Sequence, residues 1–590
     1  MDAPGRAAHG LWTALGAVSV VFHLWLIFSG LVPNLVSRPL HMALAVPWAL
    51  VFAAQGRVAL VSGWVLAVPT ITACLWIAWN ADALGDQYGF LEGTGQMALA
   101  TLLLLAVLEM ARRAIGWPLP LVAAMALAYG LFGDAIPGEF GHPGLPVASF
   151  LGTLTIAEGG LWGSLTGVSV SIVAIFVILG AVLNAGEAGQ GFMNLASAAA
   201  GGLRGGAAKV SVLSSALFGS ISGSASANVA STGAVTLPAM TRLGYPRALA
   251  GAVEAVASSG GQIMPPLMGA GAFVMVELTG VPYTQIMAAA LLPAILYFLA
   301  VWVGIDAFAG RHSLRGLPAE QRPARREVAI TAAFFAVPFA VLLIGLFLGG
   351  FTPQYAACLA ILAAFCLLPL NARLIPSLSR FGRRLAGACL TAGHQIATIA
   401  AIILCASIVI GVLSVTGLGV KVTSLILSAS GGSLWPAVLL TALACLILGM
   451  EVPTTAAYVI CVSVAGPALI ELGLAPLQTH LFVFWFALLS TITPPVCGAV
   501  FIAAGMVGEN WLKVALHAMA LGLGLYLIPL GMVAKPALIG LADQPWAAFA
   551  AAALVALGLT AVSWAVIASG NPVRRAAMAF IGAIVVLFPL

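Results

Sequence analysis

The sequence predicts an all-α polytopic membrane protein, and three observations predict it. The 590-residue chain is 62% hydrophobic and only 7% charged. Apolar stretches of about 20 residues, long enough to cross a bilayer as a helix, recur from one end to the other. The charges are gathered into short segments such as Arg311–Arg326 and Arg380–Arg384, which read as loops. A mean hydropathy of +1.12 excludes the soluble globular classes. In lipid every backbone amide must be bonded internally, so only helices or a closed barrel can span. The apolar runs are continuous and rich in Leu, Ala and Val rather than alternating, which excludes the barrel. Hydropathy gives roughly sixteen spans or half-spans.

The elements follow in order. Residues 11–31 read as a retained first span, because the run is long for a signal peptide and no small-x-small cleavage site closes it. Arg57, the pair Arg112–Arg113 and the two Arg-rich segments alternate with acidic stretches such as the one holding Asp82, Asp86 and Glu92. That distribution puts the basic loops on the cytoplasmic side of a multi-pass inner-membrane protein. Arg38 does not fit the alternation. Two spans, near 328–349 and 355–369, join the two Arg-rich segments. The eight cysteines occur singly within apolar runs, with no CxxC, and are expected to pack as small hydrophobes.

An internal repeat organises the chain. An offset of 229 residues carries Pro265-Pro266 onto Pro494-Pro495, Gly269-Ala270 onto Gly498-Ala499, Leu243-Gly244 onto Leu472-Gly473 and Pro238-Ala239 onto Pro467-Ala468. Duplicated halves of this kind are common in secondary transporters. The chain accordingly divides into an unduplicated five-span region (1–147), a first repeat (148–310), a basic loop with two connecting spans (311–377), a second repeat (378–545) and C-terminal spans (546–590).

Each repeat carries two interruptions. The first is "SGSASAN" (Ser222–Asn228), facing "EVPTTAA" (Glu451–Ala457) across the offset; the second is "SSGGQIMPP" (Ser258–Pro266), matched by "LLSTITPP" (Leu488–Pro495). Prolines and glycines free backbone groups from the helical ladder, and broken backbone survives at membrane depth only when buried in protein or lining a cavity. Freed carbonyls and hydroxyls suit a small hard cation, and half-helix N-termini suit an anionic group. The expected oxygen donors are Ser222, Ser224, Ser226, Asn228, Gln262 and the carbonyls before Pro265 in the first repeat, and Thr454, Thr455, Thr491 and Thr493 in the second. Small residues that only permit close helix packing are the alternative.

Two carboxylates within apolar runs, Glu254 and Glu451, are candidates for ligating a cation or carrying a proton. For Glu254 a purely structural pairing with Arg247 is the other reading. His394, His480 and His517 have no ligand spacing and are expected to be packed or interfacial. Signatures of enzymes are wanting: there is no Walker lysine, no HExxH and no clustered Cys/His, and Ser222 is not the third residue of a GxSxG pattern. The chain is therefore expected to be no enzyme, to hold no catalytic residue, and to run on an ion gradient. An intramembrane hydrolase is the remote alternative. Nothing in the pattern points to nucleic acid.

The stretch Gly219–Tyr283, with "LGMEVPTTAAYVI" (Leu448–Ile460) and "STITPPVCGAVFIAAG" (Ser490–Gly505), resembles the large membrane subunit of tripartite ATP-independent periplasmic (TRAP) transporters, in the branch served by TAXI-type binding proteins. The likeness covers about residues 150–540, and the first five spans resemble the small membrane subunit fused in front. The resemblance implies two inverted-topology repeats, each contributing a helical hairpin, with a transport domain that moves like an elevator against a scaffold. It implies a sodium-coupled importer that receives a small organic acid from a periplasmic binding protein. By motif, the first hairpin tip is Ser222–Asn228, including Gly223, with partner loop Gly261–Pro266. The second tip is Glu451–Thr455, including Pro453, with partner loop Thr491–Pro495, which contains Pro494. Substrate or coupling candidates are Asn228, Thr232, Glu254, Pro266, Glu451, Thr455 and Pro495. Glu451 stands where many relatives carry a small or apolar residue, which keeps proton coupling as an alternative to sodium. An autonomous symporter needing no binding protein is the other alternative.

Overall fold

Among the described residues, twelve helices are long and apolar enough to cross a bilayer, from His9–Phe28 to Pro545–Ile567, and six shorter apolar helices lie among them. These come from a computed structural model that describes residues 6–52, 54–449 and 452–588. No strand occurs among the described residues, so the protein is an all-α polytopic membrane protein. Five of the long helices, His9–Phe28, Asn34–Phe52, Arg57–Trp79, Gly93–Ile115 and Pro118–Ala135, precede the first repeat. The connecting spans predicted between the repeats are the helices Arg325–Phe347 and Pro353–Leu367. All eight cysteines are free thiols, buried except for Cys366.

The helix Leu378–Thr416 is the central strut. It packs against Arg6–Phe28, Asn34–Pro47, Gly93–Ile115 and Pro118–Phe132 of the N-terminal region and against Ala174–Ala185 of the first repeat. Its 39 residues make a rod of about 58 Å, far longer than the hydrocarbon core of about 30 Å. Its first turns therefore project beyond the apolar zone, and they carry Arg380, Arg383 and Arg384. Its charge predicts a loop for this basic segment, but the Ser377 hydroxyl caps the helix by accepting from the Arg380 N–H at 3.4 Å. Arg384 pairs with Glu187 and donates to the Leu368 and Leu370 carbonyls at 3.0 and 2.6 Å.

Arg38, which broke the charge alternation, is no topological signal. Its side chain is 10% exposed, paired with Glu158 and donating to the Trp162 carbonyl. Asn34 holds the same carboxylate from 2.9 and 3.0 Å. The arginine thus pins the second helix of the N-terminal region to the first repeat. A second buried link lies nearby, where His23 Nε2 meets His41 Nδ1 at 2.7 Å and His41 Nε2 meets the Ser169 hydroxyl at 3.0 Å.

The repeat is visible in the helix bounds. Ala225–Arg242 and Thr454–Glu471 differ by 229 residues at both ends, as do Arg247–Gly260 and Pro476–Leu489. Arg247–Gly260 has 14 residues and Ala270–Thr279 has 10, about 21 and 15 Å, so neither crosses alone and the pair forms one broken span. Gly498–Val507 completes the second broken span. The packing is reciprocal: Ala270–Thr279 lies on Thr454–Glu471 and Pro476–Leu489, while Gly498–Val507 lies on Ala225–Arg242 and Arg247–Gly260. Each repeat's second half-helix rests on the other repeat, the pattern that a two-fold axis produces.

Candidate functional site

The first hairpin is formed by an inner arm, Gly206–Ser222, and an outer arm, Ala225–Arg242. Gly223 turns the chain at φ +60, a left-handed conformation that costs glycine nothing. Ser224 then caps the outer arm, its hydroxyl accepting from the Ala227 N–H at 3.4 Å. The Ser222 hydroxyl lies 3.5 Å from the Ser224 carbonyl. Both hydroxyls therefore turn back on their own tip, and no histidine is among their partners.

The tip rests on the break of its own repeat. A methyl group on Gly223 would lie 3.3 Å from Gly269 Cα. The break runs through a short 3-10 turn, Gly261–Ile263, and the cis Pro265-Pro266 bond, and closes where Gly269 N–H donates to the Gln262 carbonyl at 2.9 Å. Tyr283, at the start of the helix Tyr283–Arg311, donates its hydroxyl toward the Pro266 and Leu267 carbonyls at 2.7 and 2.8 Å.

Below the tip, inner arm and break touch backbone to backbone. A Cβ added to Gly219 would stand 2.4 Å from Gly261 Cα and 2.6 Å from Asn228 Nδ2. Asn228 itself is fully buried and donates to the Ser215 carbonyl at 2.9 Å and the Ser258 carbonyl at 3.3 Å. Its amide nitrogen thus ties the outer arm to the inner arm and to the broken helix. The nitrogen of the amide makes this clamp, and the oxygen expected to serve as a donor lies 3.4 Å from the Thr232 hydroxyl.

The second repeat is arranged alike. Its hairpin has the arms Leu434–Gly449 and Thr454–Glu471, and Gly449 packs against Ser490, where a Cβ on the glycine would be 3.2 Å from the serine Cβ. Pro453 precedes the outer arm as its N-cap, Thr454 is buried and Thr455 half-buried. Glu451 lies outside the described residues. The Pro494-Pro495 bond is cis, as in the first repeat. Thr493 shares a hydrogen bond with the Tyr526 hydroxyl at 2.7 Å.

Two contacts join the repeats at their breaks. Thr491 Oγ1 lies 2.8 Å from the Ser259 hydroxyl, and the Ser226 hydroxyl faces Gly498, 3.6 Å from where a Cβ would be. The first tip, the first break and the second break therefore meet. Of the predicted donors, Ser222, Ser224, Ser226, Gln262 and Thr491 belong to this meeting place, while Thr493 faces Tyr526. Thr454 and Thr455 stand on the outer arm that packs against Ala270–Thr279.

Glu254 is not paired with Arg247. The carboxylate is fully buried and all its partners are hydroxyls: Ser211 at 2.7 Å, Ser215 at 3.4 Å, Ser258 at 3.3 Å, and Thr232 and Thr236 in closer contact. Ser211, Ser215, Thr236 and Ser258 are not among the predicted site residues. The signal was a set of i,i+4 pairs on three successive helices, Ser211 with Ser215, Thr232 with Thr236 and Glu254 with Ser258, which puts each pair on one helix face. The histidines are packed as expected: His394 lies against Trp48 and Phe52, His480 bonds the Tyr458 hydroxyl at 2.7 Å, and His517 meets the Lys513 carbonyl at 2.8 Å. Among the described residues no cluster of three His, Cys, Asp or Glu is placed to hold a metal ion.

A helical protein with paired hairpins seated on paired broken spans has the architecture of a membrane carrier. A family model described as "Tripartite ATP-independent periplasmic transporter, DctM component" matches residues 102–547, and the chain belongs to that family. It is thus the inner-membrane component of a secondary transporter of the TRAP type, a system that works with a periplasmic binding protein. The match begins within the N-terminal region, in the helix Gly93–Ile115. No individual curated protein matches the chain.

Proposed function

We propose that the protein imports a small organic acid delivered by a TAXI-type periplasmic binding protein, driven by sodium bound at the hairpin tips. The observation that supports this most is the meeting of the first tip with both breaks, because it gathers hydroxyl oxygens beside two half-helix N-termini, Ala270–Thr279 and Gly498–Val507. The N-termini favour a carboxylate and the oxygens favour a small cation. Ser222, Ser224, Ser226, Gln262, Thr491 and Thr493, with Thr454 and Thr455, are the proposed ligands, and the Pro265-Pro266 and Pro494-Pro495 loops complete the two sites. The hairpins and broken spans act as the moving domain. The helices before residue 148 act as a fused small subunit that, with the Leu378–Thr416 strut, enlarges the scaffold.

The test is uptake of labelled carboxylates into proteoliposomes under an inward sodium gradient, with and without purified binding protein outside. Sodium-driven uptake that requires the binding protein is the expected result. Uptake that is equal without it would make the protein an autonomous symporter.

A further inference from the structure

Glu254 is more than the import reading requires. It sits at the seam between the first hairpin and the broken helix, with Ser211 and Ser215 from the inner arm, Thr232 and Thr236 from the outer arm, and Ser258 from its own helix around it. No cation is among its partners. The ionisable groups on the helices packed about it bond elsewhere or stand at helix ends. Lys209 bonds Asp306 at 2.7 Å, Arg242 bonds the Pro238 carbonyl at 3.1 Å, and Tyr297 bonds the Val256 carbonyl at 2.7 Å. Lys513 lies 3.6 Å from Glu509, and His517 meets the Lys513 carbonyl at 2.8 Å. Tyr283 is held by the break, Arg247 stands at the far end of the helix that bears Glu254, and Arg311 ends the helix that carries Asp306. Among the described residues a charge on Glu254 therefore has no opposite charge to offset its desolvation.

The surroundings suit a proton. The hydroxyls of Ser211, Thr232 and Thr236 stand at hydrogen-bonding separations from the carboxylate. Thr232 Oγ1 also lies 2.8 Å from the Asn228 carbonyl, and Thr236 Oγ1 lies 3.0 Å from the Thr232 carbonyl. A hydroxyl has one proton to donate, so each threonine serves either the carboxylate or its own helix. With Glu254 ionised, both turn to it. With Glu254 protonated on Oε1, Thr232 returns its proton to the Asn228 carbonyl and accepts from the acid, while Thr236 still donates to Oε2. The network serves both states by rotation about side-chain bonds alone.

The cluster exists once. The offset of 229 places Leu440, Ala444, Cys461, Ala465, Val483 and Ala487 at the corresponding positions of the second repeat. Duplicated architecture does not explain a carboxylate with five hydroxyls in one copy and an apolar seam in the other.

Building on the import reading, we propose that Glu254 is a proton site at this seam and that one proton crosses on it with each substrate. Lifting the hairpin from the broken helix removes the hydroxyl donors and admits water, so proton exchange is linked to the seating of the hairpin. An O–H bond forms on the carboxylate with a proton from water on one side of the membrane and breaks to water on the other, with no change of oxidation state.

Infrared difference spectra of the purified protein between about pH 5 and pH 9 read the site directly. A protonated-carboxyl band in wild type, absent in Glu254→Gln and moved to higher wavenumber in Thr236→Val by loss of a donor, is expected. In proteoliposomes with the binding protein and a mixture of labelled C3–C6 carboxylates, one proton per substrate lets a gradient of one pH unit raise accumulation about tenfold. Glu254→Gln is expected to lose that stimulation while substrate exchange at zero gradient survives. A wild-type band that persists unchanged in Glu254→Gln overturns the site. Undiminished gradient stimulation in that variant overturns the coupling. Absence of all uptake and exchange in wild type overturns the import reading, and the infrared result still decides the proton site.

Discussion

The backbone contact between Gly219 and Gly261 sets a quantitative expectation for Gly219→Ala. The new Cβ would stand 2.4 Å from Gly261 Cα and 2.6 Å from Asn228 Nδ2, where ordinary contacts are 3.4–4 Å. Inner arm and break must part by about 1 Å, because the obstacle is backbone on one side and a clamped amide on the other. Forcing a methyl group into a packed seam costs about 1–3 kcal/mol. If that strain is relieved when the hairpin lifts, the seated state is disfavoured about 5- to 150-fold. Carboxylate exchange in proteoliposomes should fall within that range, and the thermal midpoint in detergent should drop. Gly382→Ala, in the projecting end of the strut with nothing within 4 Å of the new methyl, is the control and should be neutral. Exchange and thermal midpoint at wild-type values in Gly219→Ala would refute the claim that the hairpin must seat on the break at this point.

Asn228→Ala removes two hydrogen bonds to the Ser215 and Ser258 carbonyls. A loss of about 1–3 kcal/mol is expected, read as a lower thermal midpoint together with slower uptake of a protein that still inserts. Thr491→Val cuts the hydroxyl contact with Ser259 between the two breaks and should slow uptake with a stability change of only about 0.5–1.5 kcal/mol. Wild-type uptake in this variant would show that the cross-repeat bond is dispensable. Arg38→Met leaves the Trp162 carbonyl without its donor, while Glu158, 54% exposed, is solvated. Limited proteolysis at residues 156–163 should accelerate, and an unchanged cleavage rate would contradict the pinning of the N-terminal helices by this arginine.

The spans, the offset of 229 and the four interruptions were legible in the sequence because prolines, glycines and apolar runs act locally. Helix bounds such as Ala225–Arg242 and Thr454–Glu471 follow from those signals. Arg38 was not legible, since its partner Glu158 is 120 residues away and a charge count cannot tell a buried pair from a solvated loop. Arg380–Arg384 misled for the opposite reason: local charge marks an aqueous environment, but a 39-residue helix reaches that environment without ending. The partners of Glu254 were hidden because serine and threonine in membrane helices commonly bond their own i−4 carbonyls. Only the meeting of three helices shows that these hydroxyls have a second acceptor in common.

The two repeats share a backbone plan but not its chemistry, and the difference runs both ways. The hydroxyl cage of Glu254 has apolar counterparts in the second repeat, yet the second repeat holds a buried pair of its own, Tyr458 and His480, 2.7 Å apart. The offset carries that pair back to Val229 and Gly251 in the first. Gly251 sits close beneath the neighbouring helix, where a Cβ would already be 3.2 Å from Val514, so the first seam has no room for the bulk that the second accommodates. The Pro-Pro breaks and the hairpin-on-break packing, by contrast, recur in both. Features that must move or open alike on the two sides of a pseudo-two-fold are retained in both copies, whereas a group that binds one particle per cycle needs only one. An ion site at the tips is expected to have two related forms, and a proton site on Glu254 a single form, because the oxygens at the tips come from the duplicated breaks and those around Glu254 come from side chains that only one copy carries.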